Sequence, residues 1–437
     1  MEKRTSSSLK NKYFLTYFSR YSHPVEYLEM YPPPEKLGMT ITIPCYNEPG
    51  LVKTLESLYE CNPTRNPVEV IVLINQPTNP DRKIAELNEY SYAEAVAWTE
   101  IHNTSNRKFH IIYIKNIPER HFGVGMARKI VMDEAVHRLA RSGFGDGIIV
   151  GLDADSLCDP NYLSEIENFY MEHPSSVGAT IYYEHPLHTE EDKDHRYGIA
   201  SYELHLRYLI QALRYAGFPY AFHTLGSCIS IRASVYAKQG GMNKRKAGED
   251  FHFLQKIIPL GNFGEINTTR VIPSSRVSNR VPFGTGKAMM KWSDSRIKEL
   301  RTYNPSIFEE LHTLFSGIDD IWNAGIVKIE DYYHTLAPTM KKFLKPEDWL
   351  TEILRFQKQS TSVQTFRHKF FQWMNGLNIL KYIHFARDEV HKNIPVSDAY
   401  NWLRKKLDLF DNDKVDVLNG LEELRTYDKS HSYYFKK

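Results

Sequence analysis

The chain has 437 residues, 42% hydrophobic and 25% charged, with a formal net charge of +2. That balance excludes a general nucleic-acid binder, which carries a strong basic excess, and the length favours a main domain with a smaller companion over one core. The four cysteines, Cys45, Cys61, Cys158 and Cys228, show no zinc spacing and are too few for a disulfide framework, so a reducing, cytoplasmic setting is expected.

Residues 1–37 form an aromatic and polar lead-in closed by "YPPPEKLG", whose prolines make a boundary. Its basic start lacks the apolar run of a signal peptide. No stretch of about 18 consecutive apolar residues occurs, so no spanning helix is expected. The sequons at Asn103 and Asn267 then carry no meaning.

"MTITIPCYNEPG" is a β-rich run stopping at a turn, and "LVKTLESLYEC" has helical spacing. "VEVIVLINQPTNP" repeats the strand-then-turn pattern. "DRKIAELNEYSYAEAVAWTEIHN" reads as a helix and "KFHIIYIKNI" as the third strand. "GMARKIVMDEAVHRLARSG" is an amphipathic helix ended by Gly143, and "DGIIVGL" is the fourth strand. Strands alternating with helices predict a mostly parallel α/β sheet covered on both faces. Ligands of such sheets bind beyond the carboxyl ends of the strands, so Pro44 to Glu48, Asn75 and Asp153/Asp155 should share one crevice.

From about Trp292 the character turns helical, in "DWLTEILRFQKQ", "TFRHKFFQWMNGLNILKYIHFARDEV" and "DAYNWLRKKLDLF". The expected organisation is therefore a lead-in over 1–37, a catalytic α/β domain over 38–290 and a mainly helical C-terminal region over 291–437. "DNDKVDVLNGLEE" is not a calcium loop, because Val415 and Asp416 stand where an oxygen ligand and a glycine are needed.

Four segments bear chemistry. In "GLDADS", Asp153 and Asp155 follow a strand at i and i+2, and would leave on one face wherever the chain stays extended. Two hard oxygen donors there suit Mg²⁺ or Mn²⁺ when a ligand's phosphates complete the shell; ordinary turn chemistry is the alternative. In "AGEDFHFLQKI", Glu249 and Asp250 sit at a helix start, either as first-turn acids against the dipole or as a general base with its orienting neighbour. "HFGVGMARKI" lets Gly123 and Gly125 approach closely before a helix N-terminus that favours anions; it departs from GxGxxG at Arg128, itself a candidate diphosphate contact. "PSSRVSNRVPFGTGKAM" groups Arg276, Arg280 and Lys287 in a Gly-containing segment that is either a linker or a loop closing on phosphates.

Together, "ITIPCYNEPGLVKTLESL", "GVGMARK", "GLDADS", "GSCISIRASVYAKQGGM" and "AGEDFHFLQKI" occur in the order seen in family 2 glycosyltransferases with the GT-A fold, which the chain resembles over roughly residues 38 to 290. The resemblance implies a GT-A nucleotide-diphospho-sugar transferase fold, a UDP- or GDP-sugar donor, a divalent cation (Mn²⁺ or Mg²⁺) and inverting displacement by an acceptor hydroxyl. The acceptor class stays open among saccharides, lipid-linked and small molecules. Pro44, Tyr46, Asn47 and Glu48 match the motif lining the nucleoside pocket. Asp153 would face the ribose or the metal's water shell, and Asp155 would ligate the cation. Asp250 would be the general base with Glu249 supporting it, and Gly226 and Ser227 match the acceptor side. Asn75 stands where members often carry an acid, and Ala127-Arg128-Lys129 replaces the familiar Ala-Arg-Asn. No QxxRW occurs, which with no spanning helix disfavours a processive synthase. No histidine lies between His252 and His312 to complete the metal shell.

Rival readings are a retaining GT-A enzyme acting on a small acidic acceptor, a nucleotidyltransferase, and a catalytically silent nucleotide-sugar-binding module. The basic, aromatic stretches "MKKFLKPEDWL" and "RHKFFQWMNGLNILKYIHF" are either core-facing helices or a peripheral membrane contact.

Overall fold

The computed structural model describes residues 3–143, 146–187, 192–278, 280, 284–409 and 414–436, with side chains from residue 12 onward. The strands are β1 (Met39–Cys45), β2 (Val68–Pro77), β3 (Arg107–Ile117), β4 (Ile148–Gly151), β5 (Leu157–Cys158), β6 (Gly178–Tyr183), β7 (Ile229–Arg232), β8 (Phe263–Ile272), β9 (Arg301–Thr302), β10 (Ile394–Pro395) and β11 (Tyr434–Phe435). The α-helices up to the fourth strand and its successor are α1 (Lys3–Arg20), α2 (Leu51–Tyr59), α3 (Arg82–His102), α4 (Val124–Arg141) and α5 (Tyr162–Glu172). Then come α6 (Lys193–Ala216), α7 (Ala233–Lys238), α8 (Glu249–Ile257), α9 (Thr285–Asp294), α10 (Pro305–Ser316) and α11 (Ile326–Thr335). The chain finishes with α12 (Pro338–Phe343), α13 (Pro346–Lys358), α14 (Val363–Trp373), α15 (Gly376–Glu389), α16 (Val396–Lys406) and α17 (Val417–Ser430).

Two compact units form: residues 1–186 with 224–287 and 428–437, and residues 187–223 with 288–427. The first holds a nine-stranded sheet in the order β11-β8-β6-β7-β4-β1-β2-β3, with β5 paired to β8. Pairs β1/β2, β2/β3, β1/β4 and β6/β8 are parallel; β7 runs antiparallel between β4 and β6. This mostly parallel, helix-flanked sheet, with a helical C-terminal region in the chain, is the GT-A architecture that the motifs implied.

The central strands read as mainly apolar runs because helices cover both faces: every residue of β1, β2 and β4 is buried. In α2, Leu51, Thr54, Leu55 and Leu58 are buried at i, i+3, i+4 and i+7, the stripe of a helix lying on a sheet. Asp81 caps α3 by accepting from the Lys83 and Ile84 N–H groups.

Helix α4 departs from the amphipathic expectation, being buried on almost every face from Gly125 to Leu139. Its polar residues are not on a solvated side. They meet the lead-in: Tyr17 Oη donates to Asp133 at 2.5 Å, the Tyr27 and Leu28 N–H groups donate to Glu134, and Arg138 donates to the Tyr31 carbonyl at 2.7 Å. A second layer of chain thus covers the face that periodicity alone assigns to water.

The other unit is helical apart from the two-stranded pair β9/β10. The run expected as one segment from Thr365 to Val390 is two helices, because Asn375 caps α15 by accepting from the Leu377 and Asn378 N–H groups and so ends α14. Of the aromatics in the basic, aromatic stretches, Trp349, Phe370, Phe371 and Tyr382 are buried, and Phe343, Trp373 and Phe385 are half-buried. Among the described residues, no helix is long and apolar enough to cross a membrane. Of the rejected calcium loop, residues 411–413 lie outside the described residues.

Candidate active site

Parallel pairing aligns Thr42 with Gly151 and Cys45 with Ile74, so β1, β2 and β4 finish at one edge of the sheet. Beyond β1, Asn47 takes a left-handed conformation (φ 53°), which asparagine tolerates better than most residues. Two polar side chains of α3 hold this turn: Asn88 Oδ1 accepts from the Asn47 N–H at 2.9 Å, and Ser91 Oγ donates to the Glu48 carbonyl at 2.9 Å. Both were missed from sequence, although polar residues at i and i+3 on a covered helix face were the available signal. Tyr46 packs edge-on to Phe122, with ring centroids 4.9 Å apart. Pro44 pairs with Leu73 within the sheet, and Asn75 is buried one strand over, opposite Ile114 of β3.

Strand β4 stops at Gly151, so Asp153 and Asp155 lie on a turn and not on an extended edge. The Ser156 N–H donates to the Asp153 carbonyl at 3.1 Å, and Thr54 Oγ1 donates to the Ala154 carbonyl at 2.9 Å. The condition for a shared face, an extended chain, is thus not met, and each acid meets a different cation. Asp153 Oδ1 accepts from Arg128 Nη2 at 3.0 Å, whereas Asp155 Oδ2 accepts from Arg276 Nη2 at 3.2 Å and Arg280 Nη2 at 2.7 Å. Asp159 pairs with Arg270 at 3.0 Å and joins a structural ion pair outside this set.

Arg128 is buried in the second turn of α4 and spends its donors on three separate segments. Its Nε reaches Glu249 Oε1 at 3.1 Å, Nη1 the Gly226 carbonyl at 2.9 Å, and Nη2 Asp153. Burial disfavours the charged guanidinium, but the carboxylates of Asp153, Glu249 and Asp250 outweigh it and hold the pKa above its ordinary value. Arg128 thus organises the acids.

Gly248, left-handed at φ 69°, turns the chain into α8 and places Glu249 and Asp250 in its first turn. Asp250 Oδ2 accepts from the Gly226 N–H at 3.0 Å, and Oδ1 from the Phe251 N–H at 2.7 Å. Burial first, and then the neighbouring Glu249 charge, push its pKa up to about 6; Arg128 and the Phe251 N–H oppose this only in part. Ser227, buried beside Gly226, approaches the Cys228 sulfur at 3.5 Å.

Glu48, only 1% exposed in its side chain, anchors the remaining cations. Its carboxylate accepts from both Nη nitrogens of Arg276, from Nη1 of Arg280 at 2.9 Å, and from the Gly50 N–H at 2.8 Å. Arg280 Nη1 also reaches the Tyr46 carbonyl at 3.1 Å. Asp155 is raised above the usual carboxylate range by burial and by Asp153, against the pull of Arg280 and Arg276.

Tyr46, Asn47, Glu48, Asp155, Arg276 and Arg280 thus form one bonded set and Arg128, Asp153, Gly226, Glu249 and Asp250 another, and the two adjoin at the Asp153–Asp155 turn, where the Asp153 charge acts on Asp155. Lys287 lies on α9. Among the described residues, no group of three or more His, Cys, Asp or Glu side chains gathers as a metal would require. The cation donors on offer are the hard carboxylate oxygens of Asp153 and Asp155. They fit Mg²⁺ or Mn²⁺ in kind, and only as part of a shell that a ligand's oxygens would complete.

Acids and guanidiniums thus cluster at the strand ends of the mostly parallel sheet. Residues 148–305 match the model of glycosyl transferase family group 2. Among curated proteins none matches. Among solved structures, residues 1–349 of TarS from S. aureus in complex with UDP-GlcNAc are similar at 12% identity and TM-score 0.38, covering 77% of this chain and 92% of that one. The mannosyltransferase PcManGT from Pyrobaculum calidifontis, in complex with GDP-Man and Mn²⁺, is similar at 15% identity and TM-score 0.33, covering 97% of each chain. With TM-scores below 0.5, neither likeness bears on function.

Proposed function

We propose that the protein transfers a sugar from a nucleoside-diphosphate sugar to an acceptor hydroxyl, with a divalent cation, inversion at the anomeric carbon and no processivity. The observation that carries this reading is the Asp250 carboxylate: raised to about 6, held by two backbone N–H groups, and linked through Glu249 and Arg128 to Asp153. A base of that strength is mostly ionised at neutral pH yet basic enough to accept a hydroxyl proton in the transition state. Glu249 keeps it raised, and Arg128 fixes the distance between the base segment and the Asp153 turn.

On this reading Tyr46, Asn47 and Asn75 receive the nucleoside, and Gly226 and Ser227 flank the acceptor. Asp155, with Asp153 behind it, holds the cation, which when bound neutralises charge on the diphosphate leaving group. Arg276 and Arg280 supply further donors to the same phosphates. The acceptor oxygen attacks the anomeric carbon opposite the diphosphate as Asp250 takes its proton, so one displacement inverts the centre. The C-terminal region from residue 291 is assigned to no step.

A panel of UDP-, GDP- and dTDP-sugars with and without Mn²⁺ tests this directly. One of them should raise the unfolding midpoint by mass action and release its nucleoside diphosphate on turnover. NMR of the glycoside should show an inverted anomer; a retained anomer rejects the role of Asp250. Stabilisation by no sugar nucleotide rejects the donor class.

A further inference from the structure

The Arg276/Arg280 pair stands where the reading above puts the cation. Asp155 Oδ2 already accepts from two guanidinium nitrogens, at 3.2 and 2.7 Å. Both arginines also hold Glu48, so each spans two carboxylates, one buried and one at the site. Arg280 is further tied to the Tyr46 and Asn47 carbonyls through Nη1 and to Ser278 Oγ through Nε at 3.1 Å. Their side chains are 35% and 22% exposed, so the pair is also open to an incoming anion.

From this arrangement we infer that Arg276 and Arg280 are positioning residues that hold the cation site closed until a diphosphate arrives. The inference rests on the donor-and-cation reading of the site. A divalent ion at Asp155 would face two guanidinium charges aimed at the same oxygen. A third positive charge there adds to the repulsion that the pair already carries, and it competes with two donors that already occupy the oxygen it needs. A diphosphate reverses the balance, because a guanidinium forks onto phosphate oxygens as well as onto a carboxylate. Only the bonds to Asp155 need to be exchanged. Glu48 keeps its own bonds to the pair and to the Gly50 N–H, and so retains both arginines beside the phosphates when Asp155 passes to the ion. Cation and donor are thereby made to bind together, and each raises the other's affinity equally, as linkage requires.

The test is Mn²⁺ binding to the full chain without any nucleotide, read by electron paramagnetic resonance of the free ion. The double variant Arg276→Gln/Arg280→Gln should bind Mn²⁺ about 10-fold or more tighter than the unaltered chain, within the usual range of couplings between sites. Adding Asp155→Asn to the double variant should remove the gain. Equal or weaker binding by the double variant, including no binding by either protein, overturns the inference, as does a gain that survives Asp155→Asn. Thermal unfolding checks that the double variant folds; if it does not, Arg280→Gln alone, which leaves Arg276 on Glu48, carries the same expectation at smaller size. The measurement needs no donor. A failure of every nucleotide sugar to bind therefore sinks the functional reading separately, and leaves the competition at Asp155 to be judged by Mn²⁺ itself.

Discussion

Asp250 shows how an ordinary side chain acquires a special proton affinity. An aspartate in water titrates near 3.9; here burial and the adjacent Glu249 raise it to about 6, and only partial relief comes from Arg128 and the Phe251 N–H. The base acts when unprotonated, so kcat/KM should fall as pH drops through about 6 and level off above it. A pH–rate profile of the free enzyme checks the position of that limb. Asp250→Asn should lower transfer by about 10²-fold or more while nucleotide-sugar binding persists, measured by turnover beside a binding isotherm. Normal transfer by that variant would remove Asp250 from the mechanism. The motif Gly248-Glu249-Asp250 was legible in sequence as a pair of acids at a helix start. Its proton affinity was not, because the burial that chiefly raises it and the opposing Arg128 charge come from segments packed around it, far away along the chain.

At the scale of elements, the site depends on how closely α4 approaches the segment before α8. Gly125 has no room for a side chain: a Cβ there would run into the Arg245 carbonyl oxygen and stand 3.0 Å from that of Asn243. Gly125→Ala should therefore push residues 243–246 away and cost about 1–3 kcal/mol, the usual range for overpacking. Urea unfolding of the variant reads the loss, and an unchanged midpoint would mean that the segment yields freely. Transfer should fall too, since the same movement shifts Gly248 and the acids that follow it. The sequence reading let Gly123 and Gly125 approach closely before a helix N-terminus that favours anions. In the structure Gly125 makes room for protein backbone, and nothing in a Gly-x-Gly pattern distinguishes these two uses. The strands β1, β2 and β4 were readable because burial on both faces leaves apolar runs. By contrast, β7 is four residues long and β11 only two; their place depends on partners distant in sequence, which local pattern does not encode.

For the whole molecule, the C-terminus returns to the main sheet. Strand β11 pairs antiparallel with β8, Tyr434 opposite Gly264 and Phe435 opposite Phe263. Gly264 leaves space that the Tyr434 ring fills, and His173 lies against the same ring with centroids 5.0 Å apart. Lys429 reaches back to Glu184 at 2.5 Å, and Asn267 donates to the Asp428 carbonyl at 2.6 Å. Deleting residues 431–437 should thus lower the unfolding midpoint of the unit holding the candidate site, at about 2–4 °C per kcal/mol lost. Calorimetry of the shortened chain checks this; an unshifted transition would show that β11 adds nothing. A domain drawn from residues 38 to 290, as sequence suggests, would omit this strand and the lead-in that covers α4.

The sequence by itself determined the alternation of strands and helices and which acids and arginines stand at strand ends and helix starts. These follow from periodicity and turn chemistry, which act over a few residues. Only the tertiary structure decided that Arg128 joins Asp153, Gly226 and Glu249 across 25, 98 and 121 residues, and that Asp155 faces Arg276 and Arg280. Charge partners and desolvation are properties of a place in space. Folding brings distant segments to that place through buried apolar surface, and the ionic pairing follows from where they meet.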